Sequence, residues 1–304
     1  MSLKTQHIMK HAPISRLLRL LLISFFVANI LSCYNYKHNK VLIIGIDGCK
    51  PDALLKAKTP NIDKLWKNGS YSFSATTDEL TISGPCWTSM LTGVWHDKHK
   101  VITNKYLGPN IKQYPHLFKR VKQFNPDLKT YSIVNWEPVN NILNRGDADF
   151  VQTFETDEEV VKKTVDVIKS DNPDIIFVQL DEVDIAGHTH SFDTISNEYL
   201  KAISDVDEMV GQIVNAMKSR ASYEKENWLI ILSTDHGGSG NNHGENIKEH
   251  KTIFYIVSGK RANQGLIKQD VYVTDVSITA LHHMGIPIMA EWDIDGRVIG
   301  LDLY

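Results

Sequence analysis

VLIIGIDG, residues 41–48, decides the fold. Its first six residues are apolar or glycine and rich in β-branched side chains, with no polar position on either alternate. A strand with one face in water alternates polar and apolar residues, so this run predicts a strand buried on both faces, as in a parallel sheet covered by helices on each side. The run stops at Asp47-Gly48, which puts Asp47 at the strand's carboxyl end. Two later runs repeat the pattern. DIIFVQL at 174–180 leads into acids at 181–184, and WLIILS at 228–233 leads into Asp235-His236-Gly237-Gly238.

Between these runs the spacing predicts a helix over 59–67, opened by Thr59-Pro60, and a short strand over 71–75. A helix follows Ser83, and another strand lies over 130–134. Residues 157–170 read as a helix with Val160, Val161, Val165 and Ile168 on one side, and 196–219 as a long helix. A strand at 253–257 and a helix at 276–284 complete the chain. Helices alternating with apolar strands give an α/β fold, a three-layer α/β/α sandwich with a mostly parallel central sheet. Ligands of such sheets bind beyond the strands' carboxyl ends. Asp47, Asp184 and Asp235 all fall there.

The N-terminus reads differently. Lys4, Lys10 and Arg16 precede LLRLLLISFFVANIL at 17–31, whose start Arg19 interrupts, a basic start and then an apolar run, which is the order of an export signal. The run is shorter than the roughly 20 apolar residues of a membrane-spanning helix. It ends in Ile30-Leu31-Ser32-Cys33, which resembles the lipobox of bacterial lipoproteins except that Leu31 stands where that pattern has a small residue. Residues 1–33 are therefore expected to be a signal or lipoprotein signal, or else an N-terminal anchor. Residues 34–40 would be a linker and 41–304 one catalytic domain. The expected location is the periplasm or cell envelope, with Cys33 lipidated or the segment itself holding the chain at the membrane.

Without that segment about 270 residues remain, enough for one large domain and too few for two. The net charge of −3 is built from interspersed signs with no basic stripe outside the N-terminus, so nothing points to a nucleic-acid backbone as the main partner. Only Cys49 and Cys86 follow Cys33, so no disulfide framework exists, and two buried thiols are expected.

TISGPCWTSMLTG at 81–93 looks built to present one hydroxyl, that of Ser83. Gly84 permits a tight turn and Pro85 suits a first helical turn. A serine there is expected to sit among free backbone N–H groups at the positive end of a helix dipole, where an anion is stabilised. The plain alternative is that Ser83 only caps the helix.

The carboxylates at the sheet edge would repel one another unless a cation neutralised them, and histidines accompany them. Asp184 and His188 are four apart, Asp235 and His236 adjacent, and His243 follows seven residues later. Imidazole mixed with carboxylate suits zinc, with manganese or iron tolerated.

With these pieces in view, the sequence resembles the alkaline phosphatase superfamily and, within it, the type I phosphodiesterase/nucleotide pyrophosphatase group. The resemblance is carried by IGIDGCKPD from Ile44, Ser83-Gly84-Pro85 with LTGVWHDKH beyond it, DEVDIAGH ending at His188, TDHGG from Thr234, HGENIKEHKTIFYIVSG from His243, and the tail TDVSITALHHMGI with WDIDGR. It implies an alkaline phosphatase-like fold and two divalent ions, zinc by preference. Asp184, His188 and His243 would hold one ion, and Asp47, Asp235 and His236 the other, with Ser83 Oγ on the second. His250 is an alternative to His243. Two ions about 4 Å apart can clamp an in-line displacement. Ser83 would attack phosphorus, giving a phospho-serine or nucleotidyl-serine that water resolves.

Two departures bear on the substrate. Nucleotide pyrophosphatases usually have threonine at the nucleophile and asparagine three residues later; here Ser83 and Cys86 stand there, and a thiol is a poor donor to a phosphate oxygen. Sulfatases of the superfamily need arginine where this chain has Trp87. Trp87, Trp95 and Trp136 could stack on a base or sugar, or simply be buried. The expected substrate is a small phosphorylated molecule, with a nucleotide as candidate. A phosphomonoesterase, and a non-catalytic surface binding protein with a decayed site, are the competing readings.

Overall fold

A computed structural model describes residues 39–302. The basic start, the apolar run, Cys33 and most of the expected linker lie outside the described residues. Among the described residues no helix is long and apolar enough to cross a membrane.

The strands are β1 (Asn39–Ile46), β2 (Ser70–Thr76), β3 (Thr130–Val134), β4 (Phe150–Thr153), β5 (Ile175–Leu180), β6 (Asn227–Ser233), β7 (Thr252–Gly259) and β8 (Gly265–Leu266). They form one eight-stranded sheet in the order β4-β3-β5-β1-β6-β7-β2-β8. β1 pairs in parallel with β5 and β6, and β3 with β4 and β5, while β7 runs antiparallel to both β6 and β2. The sheet is therefore mostly parallel, and its three central strands are the three apolar runs of the sequence. Every residue of β1 and β5 is buried.

Helices cover both faces. They are α1 (Pro51–Lys56), α2 (Pro60–Lys67), α3 (Ser83–Thr92), α4 (His96–His99), α5 (Leu117–Phe124), α6 (Asp157–Ser170), α7 (Glu182–His190), α8 (Asn197–Lys218), α9 (Lys248–Lys251) and α10 (Asp275–His283). Alternation along β1 sends Leu42, Ile44 and Ile46 to one face, where they join a core completed by α1, α2, α6 and α8. Burial of each such side chain contributes roughly 1.5–3 kcal/mol. Val41, Ile43 and Gly45 face the other layer, where α10 packs on β1 and β6 and touches α3 and α5. Gly45 has a specific reason. The Trp87 indole lies directly on it, and a Cβ at position 45 would collide with the ring.

The acid-rich stretch after β5 is not an irregular strand end. It forms α7, which starts at Glu182 and carries Asp184 and His188 one turn apart. The helices over 51–56 and 117–124 were also not legible as periodic patterns. α1 is too short for two turns of an apolar stripe, and α5 carries Lys119, Arg120 and Lys122 among its apolar residues.

Candidate metal centre

The carboxyl ends of β1, β5 and β6 deliver the acids to one place. Asp47 directly follows β1, Asp235 follows β6, and α7 carries Asp184 back over the sheet edge. Gly48 makes this approach possible. Its φ of +60° lies in the left-handed region, and a Cβ there would strike the Asp184 carboxylate.

Two groups of ligand-type atoms result. Asp47, Asp235 and His236 form one, and Asp184, His236 and His243 the other, each with its atoms within 4.8 Å of one another. His236 Nε2 stands between them, 3.4 Å from Asp47 Oδ1 and 3.4 Å from Asp235 Oδ2. His188 joins from the open side. Its Nε2 lies 3.3 Å from Asp184 Oδ2 and 3.1 Å from His243 Nε2. Ser83 Oγ is 3.3 Å from His236 Nε2. All seven residues expected at the site therefore meet at one rim. The inner group is buried, whereas the His188 side chain is 43% exposed, so the site opens to solvent on that side.

The donor set fits divalent cations on two grounds. Asp47 Oδ1, Asp184 Oδ1 and Asp235 Oδ2 are buried with no hydrogen-bond partner, although such oxygens normally have one. The imidazoles are also oriented. His188 Nδ1 meets Asn241 O at 2.8 Å, His243 Nδ1 meets Thr81 O at 2.7 Å, and His236 Nδ1 meets Gly237 O at 2.9 Å. A carbonyl only accepts, so each Nδ1 carries a proton and each Nε2 is directed inward. In the metal-free protein His188 holds a second proton on Nε2, shared with Asp184 and facing His243 Nε2 at 3.1 Å. A cation in place of that proton meets both imidazoles and the orphaned oxygens together.

The electrostatics of the bare protein point the same way. Burial, and then the neighbouring carboxylates, push Asp47 and Asp235 well above the usual carboxylate range. Burial drives His236 down to about 3. Burial also pushes Asp184 up, but the His188 hydrogen bond and the nearby imidazoles outweigh it and hold its carboxyl low. The same Asp184 contact raises His188 to about 9.

Several expectations are corrected. Ser83 is the first residue of α3, the cap position is Ile82, and no side chain caps the helix. The amides that follow Ser83 are engaged or absent: Gly84 N donates to Asn104 Oδ1 at 2.8 Å, Pro85 has no N–H, and Cys86 N donates to Ile82 O at 3.1 Å. Cys86 is turned away, its thiol against Leu80 O at 3.2 Å, and it and Cys49 are free and buried. Near Ser83, the Asn104 amide has its Oδ1 engaged by Gly84 N and its Nδ2 without a protein partner among the described residues. His250 is not an alternative ligand: its Nε2 meets Ser239 Oγ at 2.8 Å and its Nδ1 accepts from Glu245 N. Trp87 is fully buried and is no stacking platform, while Trp95 and Trp136 are half-buried, the first edge-on to Tyr272 and the second tilted against Tyr106 with ring centroids 6.4 Å apart.

Phe192 is a supporting residue that the sequence did not mark. Its buried ring lies 5.3 Å from His188 and 6.1 Å from His243 by centroid, beneath both imidazoles.

The sequence profile of the type I phosphodiesterase/nucleotide pyrophosphatase family matches residues 41–128 and 120–261. The chain belongs to that family. The matched span includes every residue of the site just described. Among curated phosphodiesterase relatives, an uncharacterised pyrophosphatase/phosphodiesterase of Schizosaccharomyces pombe is 23% identical over 227 residues, covering 67% of this chain and 45% of that protein. The bis(5'-adenosyl)-triphosphatase ENPP4 of Bos taurus is 21% identical over 216 residues, covering 65% and 47%. Human ectonucleotide pyrophosphatase/phosphodiesterase family member 1 is 26% identical over 219 residues, covering 64% and 23%. The chain thus spans less than half the length of these relatives.

Solved structures of low identity show the phosphodiesterase fold in common. Murine ENPP5 superposes with a TM-score of 0.69 at 15% identity, covering 83% of this chain and 96% of that one. An inactive variant of the murine protein, in complex with AMP, gives 0.68 at 15% identity over the same shares. A 2-O GAG sulfatase gives 0.66 at 13% identity, covering 86% and 73%. These matches show a shared fold, the alkaline phosphatase-like α/β/α sandwich.

Proposed function

We propose that this chain is an exported, metal-dependent phosphodiesterase or nucleotide pyrophosphatase that uses Ser83 as its nucleophile. The observation that carries the reading is the Ser83 hydroxyl 3.3 Å from His236 Nε2, beside three buried carboxylate oxygens with no partner. Asp47, Asp235 and His236 hold one divalent ion with Ser83 Oγ, and Asp184, His188 and His243 hold the other. Zinc suits this mixture best. When bound, the pair supplies positive charge for the attacking oxygen, the phosphate and the departing oxygen.

The protein's own groups do the rest. α3 fixes Ser83 at its first turn, so that Oγ faces the phosphorus. As the Ser83 Oγ–P bond forms, the bond from phosphorus to the leaving oxygen breaks, the hydroxyl proton is lost to solvent, and the leaving oxygen takes one up from solvent. Water then attacks the phospho-serine or nucleotidyl-serine and restores the hydroxyl. Asn104 donates from Nδ2 to a phosphate oxygen, the part that the family resemblance gives to position 86.

A nucleotide is the favoured substrate, on the activities for which the ENPP relatives are named and the AMP complex of the murine neighbour. The basic and apolar order of residues 1–33, ending at Cys33, supports export and tethering at the cell envelope, with 41–304 as the catalytic domain. The test is a substrate panel run after chelation with defined metals added back. Faster turnover of bis-nitrophenyl phosphate than of the mono-ester supports the diesterase reading. The reverse order turns it into a phosphomonoesterase, and no turnover with any metal overturns the enzymatic reading.

A further inference from the structure

Asp47 binds with one oxygen to the site and with the other to two side chains that no catalytic step uses. Its Oδ2 accepts from Trp87 Nε1 at 2.9 Å and from Gln179 Nε2 at 3.2 Å, while Oδ1 of the same carboxylate has no partner. The sheet explains the meeting. Gly45 and Asp47 point to the same face of β1, Gln179 of β5 is the residue directly across from Gly45, and Trp87 of α3 lies on Gly45.

Neither donor is free to turn. Trp87 is fully buried, edge-on to Phe177 with ring centroids 5.8 Å apart. Gln179 is also fully buried and has all four of its hydrogen-bonding positions filled. Its Nε2 donates to Asp47 and, at 3.0 Å, to Asp181 Oδ1, and its Oε1 accepts from Asn135 N at 3.1 Å and Trp136 N at 2.8 Å. An uncharged amide therefore separates two carboxylates and pins one of them to the loop that follows β3.

We propose that Trp87 and Gln179 are positioning residues for Asp47. By occupying Oδ2 with two neutral donors, they fix the rotation of the carboxylate and present Oδ1 alone to the ion shared with Asp235 and His236. Such outer partners commonly tune metal affinity by about 10- to 100-fold. Because the two donors touch only Asp47 of the proposed ligands, their effect is confined to one ion of the pair. This inference rests on the two-metal reading of the site. A merely structural role, satisfying buried polar atoms, predicts something else: lost stability with both affinities intact.

The test uses Trp87→Phe, which keeps most of the ring packing and removes the N–H, and Gln179→Leu, which removes the amide at similar volume. Zinc per chain is counted by elemental analysis, both affinities are measured by competition with a chromophoric chelator, and the melting temperature of the metal-free protein is recorded alongside. The expected result is two ions in the wild type, with one weakened about 10- to 100-fold in each variant and the other unchanged. Wild-type affinities for both ions in Trp87→Phe overturn the inference, whatever happens to the melting temperature. A wild type that holds no zinc overturns the metal reading itself. Should Gln179→Leu fail to fold, Trp87→Phe decides alone.

Discussion

Removing the metals tests the site and the fold together. In the bare protein Asp47 Oδ1, Asp184 Oδ1 and Asp235 Oδ2 are buried without a partner. An unsatisfied buried polar group costs about 1–3 kcal/mol, so the three together cost roughly 3–9 kcal/mol. Mass action gives a second estimate of the same quantity. An ion present at one hundred times its dissociation constant stabilises the folded state by about 2.7 kcal/mol, and two ions by roughly 5 kcal/mol. The two values overlap. For a domain of this size each kcal/mol moves the melting temperature by about 2–4 °C, so chelation is expected to lower it by roughly 10–20 °C. The assay is thermal unfolding followed by circular dichroism, before and after dialysis against a chelator and again after zinc is restored, with turnover measured on the same samples. A melting temperature that moves by less than about 3 °C, with turnover intact after exhaustive chelation, would refute the metal reading of these seven residues.

Ser83→Ala is expected to lower turnover by at least about a thousandfold while zinc content stays at the wild-type value. Asn104→Ala is expected to lower kcat by about 10²- to 10³-fold, the usual loss for a donor to a developing oxyanion, whereas Cys86→Ala stays within a few-fold of the wild type. The reverse ranking would return the donor role to position 86. His283 gives a pH prediction away from the site. It is fully buried, its Nε2–H donates to Asn227 O at 2.8 Å, its Nδ1 has no partner, and burial drives it down to about 4. Its folded value lies below the unfolded value of about 6.5, so the unfolded chain takes up the proton first. The stability it confers is present above about pH 6.5 and is lost as pH falls toward 4, by roughly 3 kcal/mol in all. His283→Gln keeps a donor and cannot be protonated. Its urea midpoint is expected to change less between pH 7 and pH 4.5 than that of the wild type, and parallel curves would refute the assignment.

The frame of this protein was legible because its central strands are buried on both faces. A short, unbroken apolar run that ends in Asp-Gly or Asp-His fits little besides a strand covered by helices on each side, and the residues that end it are chemically conspicuous. Asp47 and Asp235 each stop such a run, and Asp184 with His188 shows the four-residue spacing of a helical turn even though the helix that carries them was not recognised. His243 lacks both signals. Its place follows from a loop held to the Ser83 segment, where Thr81 Oγ1 donates to Glu245 O at 2.9 Å and accepts from Gly244 N at 3.1 Å.

What was illegible is the set of neutral residues whose roles exist only across the fold. Cys86 shows where the family resemblance misleads. The resemblance puts a phosphate donor three residues after Ser83, nearly a full helical turn on. Side chains on a helix tilt toward its N-terminus, however, and at the first turn that tilt carries the thiol back to Leu80 O, behind the nucleophile. The side-chain amide that meets this first turn comes from the loop after α4, where Asn104 Oδ1 accepts from the backbone N–H of Gly84. Trp87 errs in the opposite direction, since an aromatic near a nucleophile invites a stacking role, yet its ring fills the space above Gly45 and its N–H serves Asp47. In each case the residue type was visible and the partner was not. The charged candidates stand out in the sequence because a buried carboxylate needs a strong reason to be where it is. A buried amide or indole needs only one hydrogen bond, and many places in a protein offer that.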